Sequence, residues 1–277
     1  MIDARTLLPH FLHVYPFQPA TGIWRAVEIS TLLNHGLPEG LGLDVGCGDG
    51  LLTGIIHERL AGTRTWVGID PDEAEIALAK KTGLYTECIA TGGGKLPLED
   101  GRFDFALSNS VLEHIPDLQP VLREVSRVLK KGGRFIFTVP SNSFHEALQG
   151  PIGARGNREE YLRMIDKRCA HIHYWSEDGW SKALAGAGMS VIAAKPYLST
   201  AETQRWENCS RLTGGVLYAV FGRKQQPIEI QRRLGMRRSS VQLPMPLSRL
   251  AARILQGPLD RSVGAPYGCL LVDAVKN

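Results

Sequence analysis

Apolar strands and amphipathic helices alternate through the middle of the chain, and this alternation constrains the fold more than any other feature. Six stretches with strand patterning, separated by helical patterns or turns, lie between residues 41 and 194. Strands that alternate with helices form βαβ units, which build a parallel sheet with helices on both faces. A last apolar stretch, Gly268–Ala274, adds a seventh strand. The sequence therefore predicts an α/β fold with a doubly wound, mostly parallel, seven-stranded sheet and a helical insertion before the last strand.

The alternation also divides the chain into segments. We predict an N-terminal extension or lid at 1–40, a core at 41–198, a basic helical insertion at 199–266 and the last core strand at 267–277. Within the extension, the spacing of apolar residues predicts a helix over Thr21–His35. Pro9, Pro16 and Pro19 are expected to break the part that precedes this helix.

Composition excludes several classes of protein. The net charge of +4 over 277 residues is too weak by itself to indicate a nucleic-acid partner. The five cysteines are odd in number and form no CxxC pair, which argues against a disulfide framework or a zinc ribbon. Residues 1–9 lack the apolar core of a secretory signal, and no apolar run approaches the ~20 residues of a membrane span. We therefore expect a cytoplasmic protein without a bound metal.

The most informative local pattern is LDVGCGDG at 43–50, where an apolar strand runs into a glycine-rich loop and then a helix. Glycines let the backbone turn sharply and approach a ligand closely. A dinucleotide fingerprint would need a third glycine at position 51, which is leucine, and the Gly-Lys-Ser/Thr ending of a phosphate loop is absent. The loop is therefore expected to take a neutral or cationic nucleoside, and the alternative is a plain strand-to-helix turn.

A second strand, TWVGID at 65–70, ends in a carboxylate. A carboxylate at this place accepts hydrogen bonds from both hydroxyls of a ribose, so we expect Asp70 to bind one. The alternative is that Asp70 caps a helix beginning at Pro71, and the two roles are compatible.

Four stretches together resemble the class I S-adenosylmethionine-dependent methyltransferases, and the likeness covers roughly residues 40–194 and the last strand. These stretches are LDVGCGDG (43–50), VGIDPD (67–72), KLPLEDGRFDFALSNSVLEHI (95–115) and LKKGGRFIFTVPS (129–141). The branch looks like the small-molecule methyltransferases that include the quinone-biosynthesis enzymes. The resemblance implies that S-adenosylmethionine (SAM) is the cofactor, with its methionine part at the glycine loop and its ribose at Asp70.

The same resemblance places cofactor contacts after the first four strands. The predicted cofactor-binding residues are Asp44, Gly46, Cys47, Gly48, Asp70, Pro71, Thr91, Gly92, Asn109 and Ser110. One departure lies near the expected adenine, where residues 91–95 read TGGGK and relatives often carry an acidic residue. We expect backbone groups around 91–93 to replace a carboxylate contact there.

Candidates for catalysis and acceptor binding lie outside the glycine loop. His114, which follows the fourth strand, is the candidate general base for a hydroxyl or amine acceptor. The alternative is that Glu113 and His114 only hold the loop around the cofactor. Side chains of the N-terminal extension and of the segment before the sixth strand are candidates for acceptor contacts, with simple packing as the alternative for the aromatic ones. The predicted acceptor-binding residues are Tyr15, Trp24, Arg25, His173 and Tyr174.

The 199–266 insertion is strongly basic, with 11 lysine and arginine residues against 4 acidic residues. Helical spacing predicts one apolar helix face, with Arg249 and Arg253 across from it. The residues of this face are Leu247, Leu250, Ala251, Ile254 and Leu255. Three interpretations stay open: a packed lid with a solvated basic face, a contact with a membrane surface or lipid-linked substrate, and a nucleic-acid contact.

These patterns together predict a SAM-dependent methyltransferase. The expected reaction is O-methylation of a small molecule or of a glycan- or lipid-linked acceptor, with peripheral membrane contact through the 199–266 segment as a second interaction. Nucleic acid is not expected as a partner. The alternatives are an RNA or protein methyltransferase that uses the basic insertion, and a protein that binds SAM without catalysis. An NAD(P)-dependent oxidoreductase is disfavoured because Leu51 replaces the third glycine.

Overall fold

The chain divides into two compact units in a computed structural model that describes residues 1–152, 156–221, 242–259 and 264–277. The sheet unit comprises residues 35–142, 172–196 and 269–277. The helical unit comprises residues 1–34, 143–171 and 197–268. Residues 143–171, part of the segment predicted as core, thus belong with the N-terminal helices, because this stretch forms helices that pack in the helical unit.

The sheet unit is built on seven strands in the order β3-β2-β1-β4-β5-β7-β6. Its strands are β1 (Gly40–Val45), β2 (Arg64–Asp70), β3 (Tyr85–Ala90), β4 (Phe103–Asn109), β5 (Leu129–Pro140), β6 (Met189–Ser199) and β7 (Tyr267–Lys276). The first five strands pair in parallel, whereas β7 runs antiparallel to β5. The predicted fold class is confirmed.

Helices that lie between successive strands of the chain cover the sheet. They are α3 (Leu51–His57), α4 (Glu73–Lys81), α5 (Leu118–Val128) and α8 (Glu177–Ala185). The apolar faces of α5 and α8 pack on the sheet, where Leu122, Trp180 and Phe137 are fully buried. Parallel strands inside such a sheet are buried on both faces, and almost all of β4 and residues 135–140 of β5 are accordingly buried.

The helical unit contains six helices among its described residues. They are α1 (Ala4–Val14), α2 (Pro19–His35), α6 (Phe144–Ala147), α7 (Arg158–Cys169), α9 (Thr200–Phe221) and α10 (Met245–Leu255). The buried carboxylate of Glu207 on α9 joins three parts of this unit. It accepts hydrogen bonds from the hydroxyl of Tyr161 on α7 at 2.5 Å and from the amide of Gln149, before α7, at 2.7 Å. Arg211 pairs with Glu207 at 2.6 Å, so this buried charge is compensated.

The expectation that prolines break the first part of the chain was wrong for α1. This helix runs through Pro9, and it begins at an N-cap where the Asp3 carboxylate accepts the Arg5 amide at 2.7 Å. A proline inside a helix removes one backbone hydrogen bond. Burial of Leu8 and Phe11 with no exposed surface offsets this loss.

Part of the basic insertion lies outside the described residues. The basic residues concerned are Arg223, Lys224, Arg232, Arg233, Arg237, Arg238 and Arg261. In the part of the chain that the structure describes, no helix is both long and apolar enough to cross a bilayer.

Candidate active site

Three loops converge where the strand order reverses. β1 pairs with β2 on one side and with β4 on the other, and all three run in the same direction. Their carboxyl ends therefore share one edge of the sheet, which is the topological switch point where doubly wound folds bind ligands. The loop 46–50 follows β1, Asp70 ends β2 and Asn109 ends β4.

The glycine loop is held by its own amides. Gly46 and Cys47 both donate to the Ile69 carbonyl, at 2.8 and 3.0 Å, and Gly50 donates to the Cys47 carbonyl at 3.0 Å. The Gly48 amide donates to the Asp70 carboxylate at 3.0 Å. Phosphate loops work differently, because they aim their amides at the ligand. These bonds support the expectation of a ligand without a pyrophosphate at the loop.

All three glycines of the loop have a left-handed backbone, and the surroundings of Gly46 and Gly48 differ. At Gly46, with φ +78°, a Cβ would lie 2.5 Å from a methyl group of Val111, so the loops after β1 and β4 approach too closely for a side chain. At Gly48, with φ +53°, a Cβ would enter open space. The loop is therefore closed on the side of Val111 and open at Gly48.

Asp70 organises the loop and keeps capacity for a ligand. One of its carboxylate oxygens accepts the Gly48 amide at 3.0 Å, and the other accepts the Asp72 amide at 2.9 Å. Each carboxylate oxygen has two lone-pair sites, so each can accept one further hydroxyl. The N-cap of α4 is Asp72, whose carboxylate accepts the Ala74 amide, so Asp70 does not cap this helix.

Asp44 lies beneath the loop rather than on its surface. Its carboxylate is buried and accepts hydrogen bonds from the hydroxyls of Thr53 and Tyr85, both at 2.6 Å. Burial raises the pKa of Asp44 from 3.8 to about 6, although these two hydrogen bonds lower it. The roles of Tyr85 and Thr53 were not predicted from the sequence. Tyr85 lies on β3 and Thr53 on α3, and no sequence pattern indicates that both hydroxyls donate to the same carboxylate.

We expect Asp44→Asn to stabilise the protein at high pH. The raised pKa of Asp44 means that the folded state binds a proton more tightly than the unfolded state, so this group lowers stability as pH rises from about 4 through about 6. A shift of this size corresponds to about 3 kcal/mol, and the amide oxygen still accepts both hydroxyls, so a gain of about 1–3 kcal/mol is expected at pH 8. The gain should vanish near pH 4.

Urea unfolding from pH 4 to 8 measures this effect. Asp178→Asn is the matched control, because Asp178 is exposed at the start of α8. An identical pH dependence of unfolding free energy in both variants and the parent would contradict the role of the Asp44 charge.

Asn109 and Ser110 show two features typical of a binding site. Asn109 is 7% exposed, and its side-chain oxygen is buried without a hydrogen-bond partner among the described residues. Ser110 has φ +50°, a left-handed conformation that costs a non-glycine residue about 1–2 kcal/mol. Its amide donates to the backbone and side-chain oxygens of Thr138, at 2.9 and 3.1 Å, which holds this turn in place.

The residues predicted to lie near the adenine follow β3. The Thr91 amide donates to the Asp70 carbonyl at 3.0 Å, and the Thr91 hydroxyl donates to the Lys95 carbonyl at 3.4 Å. Gly92 is exposed, and a Cβ there would meet nothing within 4 Å. The segment therefore leaves open space beside β2, and the predicted adenine contact with its backbone stays a prediction.

His114 lies on a single 3₁₀ turn, Leu112–His114, that follows β4. The Ile172 amide donates to the Glu113 carbonyl at 2.8 Å, and the His173 ring contacts the Ile115 carbonyl at 2.8 Å. The Glu113 side chain is buried, whereas that of His114 is 39% exposed. Residues 172 and 173 therefore hold the backbone of the turn in place, and the His114 side chain is partly exposed to solvent.

The five predicted acceptor residues fall in both units. His173 and Tyr174 lie in the sheet unit, and the others lie in the helical unit. Trp24 is 7% exposed and packs edge-on against Phe144 and Trp206, with ring centroids 5.8 and 5.4 Å away, so packing accounts for its position. The acceptor role of these five residues stays a prediction.

Arg25 and Tyr15 form an electrostatic group inside the helical unit. Burial works to lower the pKa of the Arg25 guanidinium, but the buried carboxylate of Glu28, with which it pairs, and two nearby tyrosines together outweigh this effect and raise the pKa. Tyr15 and Tyr197 add smaller contributions in the same direction. Arg25 therefore stays charged in this environment.

These features define a class of protein: an α/β enzyme with a nucleoside-cofactor site at its switch point. A family model described as a methyltransferase domain matches residues 43–137, from within β1 to within β5. The ubiquinone biosynthesis O-methyltransferase of Pseudomonas fluorescens strain Pf0-1 is 32% identical over 165 residues, which are 56% of this chain and 67% of that protein. The chain belongs to the class I SAM-dependent methyltransferases.

Other similarities are more local or more remote. The sterol 4-C-methyltransferase strm-1 of Caenorhabditis elegans is 41% identical over 98 residues, covering 34% of this chain and 29% of that protein. The chain therefore spans from about a third to two thirds of the length of these curated relatives. A geranyl diphosphate methyltransferase solved with GPP and sinefungin has a TM-score of 0.54 and 17% identity, covering 90% of this chain and 77% of that one, which supports the fold.

The residues at the switch point fit SAM. The cofactor carries a positive sulfonium and an ammonium group, and Asp44 beneath the loop, Asp49 in it and Asp70 beside it supply carboxylates. Asp70 has lone pairs for a ribose diol, and the buried Asn109 oxygen is an acceptor. SAM is the cofactor of this enzyme, and the contacts of each predicted residue with it stay predictions.

Proposed function

We propose that this enzyme methylates an oxygen atom of a small or lipid-linked acceptor, as a member of the quinone-biosynthesis-like branch. The observation that carries the proposal is the joint placement of the glycine loop, Asp70 and Asn109 at the carboxyl ends of three adjacent strands. Similarity over more than half of the chain to a ubiquinone biosynthesis O-methyltransferase supports oxygen as the methylated atom. Similarity to a sterol 4-C-methyltransferase makes carbon the chief alternative.

Binding and orientation are the main tasks of the chain in this reaction. When bound, SAM supplies an electrophilic methyl group on a good leaving group. Asp70 accepts the ribose hydroxyls, and the side-chain oxygen of Asn109 accepts a hydrogen bond at the amino-acid end. The loop 46–50 fixes the approach of the cofactor, because its internal hydrogen bonds leave it little freedom. Holding two reactants in line lowers the barrier by several kcal/mol.

His114 accepts the proton of the acceptor hydroxyl in this proposal. His114 follows Asn109 by five residues in the chain and lies on the fixed 3₁₀ turn. Its ring is partly exposed to solvent. The buried Glu113 carboxylate lies 3.9 Å from the His114 ring.

The proposal is tested with radiolabelled SAM and an acceptor panel of phenols, lipid-linked phenols, glycans, amines and sterols. Transfer to a hydroxyl, identified by mass spectrometry of the product, is the expected result. Transfer to carbon or nitrogen alone would reject O-methylation. SAM binding without transfer to any acceptor favours the non-catalytic alternative.

We expect His114→Ala to lower kcat about 100-fold with the SAM Kd nearly unchanged, since a positioned general base contributes about 10²–10⁴-fold. Steady-state kinetics and calorimetry measure the two quantities separately. His10→Ala is the matched control, because His10 is exposed on α1 in the other unit. A His114→Ala enzyme with the parent's kcat would reject the base and leave the turn a purely structural element.

A further inference from the structure

Three large apolar side chains of α10 face solvent. Leu247, Leu250 and Ile254 are 52%, 56% and 68% exposed. Their spacing of three and four residues puts them in one stripe along the helix. Single exposed leucines are common on proteins, but an apolar stripe of three marks an interaction surface. Of the interpretations that the sequence left open for this helix, a lid whose apolar face packs inward does not fit these exposed side chains.

The buried face of α10 is the opposite one, and it is made of small residues. Ser248 and Ala252 are buried, and α10 packs on α1. The Ser248 hydroxyl donates to the Leu243 carbonyl at 3.1 Å. Since these small side chains satisfy the contact with α1, the leucine stripe is left for another surface.

Both ends of α10 are anchored. The Leu243 amide donates to the His13 carbonyl at 3.1 Å, and the His13 ring contacts the Leu243 carbonyl at 2.7 Å. At the other end, Arg205 of α9 donates to the carbonyls of Ile254 and Leu255, at 2.6 and 3.0 Å. The orientation of the stripe is therefore fixed by hydrogen bonds, and the leucines do not turn inward without breaking them.

The charged side chains of α10, which lie next to the stripe, are all positive. Arg249 and Arg253 are exposed on the adjacent side of the helix, and residues 242–259 contain no aspartate or glutamate. α1 has no acidic residue either, and both acidic residues of α9, Glu202 and Glu207, are buried. The preceding segment, 222–241, adds six lysine and arginine residues against one glutamate in the sequence.

We propose that the stripe and its two arginines, here called the α10 face, dock on the surface of an anionic phospholipid bilayer. A helix with exposed leucines beside arginines lies in the interface plane, with its apolar side chains among the acyl chains and its guanidinium groups at lipid phosphates. A protein partner would need an acidic groove whose shape fits the helix. An anionic bilayer complements both the apolar stripe and the positive charge and needs no matching shape. The inference does not depend on which acceptor is methylated.

Co-sedimentation of the full-length protein with vesicles tests the proposal. We expect binding to phosphatidylcholine vesicles that contain phosphatidylglycerol, weaker binding to pure phosphatidylcholine, and weakening by salt. The triple variant Leu247→Ser, Leu250→Ser and Ile254→Ser should bind about 100-fold more weakly, since each removes a large apolar side chain from the bilayer. Arg249→Glu with Arg253→Glu should abolish the preference for anionic vesicles.

Two matched controls separate the α10 face from general surface properties. Ile192→Ser removes an apolar side chain of similar exposure, 54%, on the edge strand β6, and Lys131→Glu reverses an exposed charge on β5. Both should bind vesicles as the parent does, and calorimetry with SAM verifies that every variant is folded. No vesicle binding by the parent, or equal binding by the triple variant, would overturn the proposal. A parent dimer that the triple variant dissociates, without vesicle binding, would assign the face to a second copy instead.

Discussion

Replacing Asp70 with alanine is expected to weaken SAM binding at least about 100-fold. Two hydrogen bonds to a carboxylate are lost at once, and each hydrogen bond to a charged group contributes about 1.5–3 kcal/mol. The loop loses a support as well, because the carboxylate also accepts the amides of Gly48 and Asp72. S-adenosylhomocysteine shares the ribose, so its affinity should fall by the same factor.

Calorimetry with both ligands measures this effect, with NADH as the ligand expected not to bind. Asp72→Ala is the matched control, because Asp72 is the neighbouring carboxylate and caps α4 without supporting the loop. It should cost stability of about 1 kcal/mol and little affinity. Equal loss of affinity in the two variants would mean that Asp70 acts through the local backbone, and unchanged affinity in Asp70→Ala would reject the ribose contact.

Local patterns predicted the sheet unit well. Six strand-patterned stretches were predicted between residues 41 and 194, and β1 to β6 lie between residues 40 and 199. This agreement has a physical reason, because parallel strands are buried on both faces and helices on one, so each leaves its own apolar period in the sequence. The loop 46–50 was predicted in the same way, from glycines that follow an apolar strand and precede a helix.

Features that depend on tertiary contacts were not predictable from local patterns. Pro9 is compatible with a helix only because packing of the buried face of α1 offsets the missing hydrogen bond. The outward orientation of Leu247 and Leu250 depends on which partner α10 finds, and α1 meets the small residues of α10 instead. A helical period reveals that two faces differ, but it does not reveal which one becomes buried.

In the candidate site too, residue types were predictable from the sequence, whereas their tertiary contacts were not. The residue types at Asp44 and Asp70 were both recognised, yet their roles differ because of burial. Asp44 is buried under the loop with Thr53 and Tyr85 as donors, whereas Asp70 lies half-buried at the loop amides. The close contact between Gly46 and Val111 joins two loops that are far apart in the sequence, so no spacing rule could have found it.

That contact leads to the second large expected effect, which concerns Gly46→Ala. The new Cβ would lie 2.5 and 2.7 Å from the two methyl groups of Val111, a β-branched residue with little rotamer freedom. The left-handed φ of +78° adds a backbone cost. We expect the two together to destabilise the protein by about 2–4 kcal/mol. SAM affinity should also fall at least about tenfold, because the loop moves away from Asn109.

Gly83→Ala separates the two causes. Gly83 also has a left-handed backbone, with φ +69°, but a Cβ there meets nothing within 4 Å, so only the backbone cost of about 1–2 kcal/mol applies. Urea unfolding should therefore rank Gly46→Ala as the less stable variant, and adding Val111→Ala should restore part of the stability and the SAM affinity. If Gly46→Ala and Gly83→Ala lost equal stability, steric exclusion at Val111 would be rejected, and the glycine would be explained by its backbone conformation alone. A restored double variant would instead establish that contact between the loops after β1 and β4 sets the shape of the cofactor site.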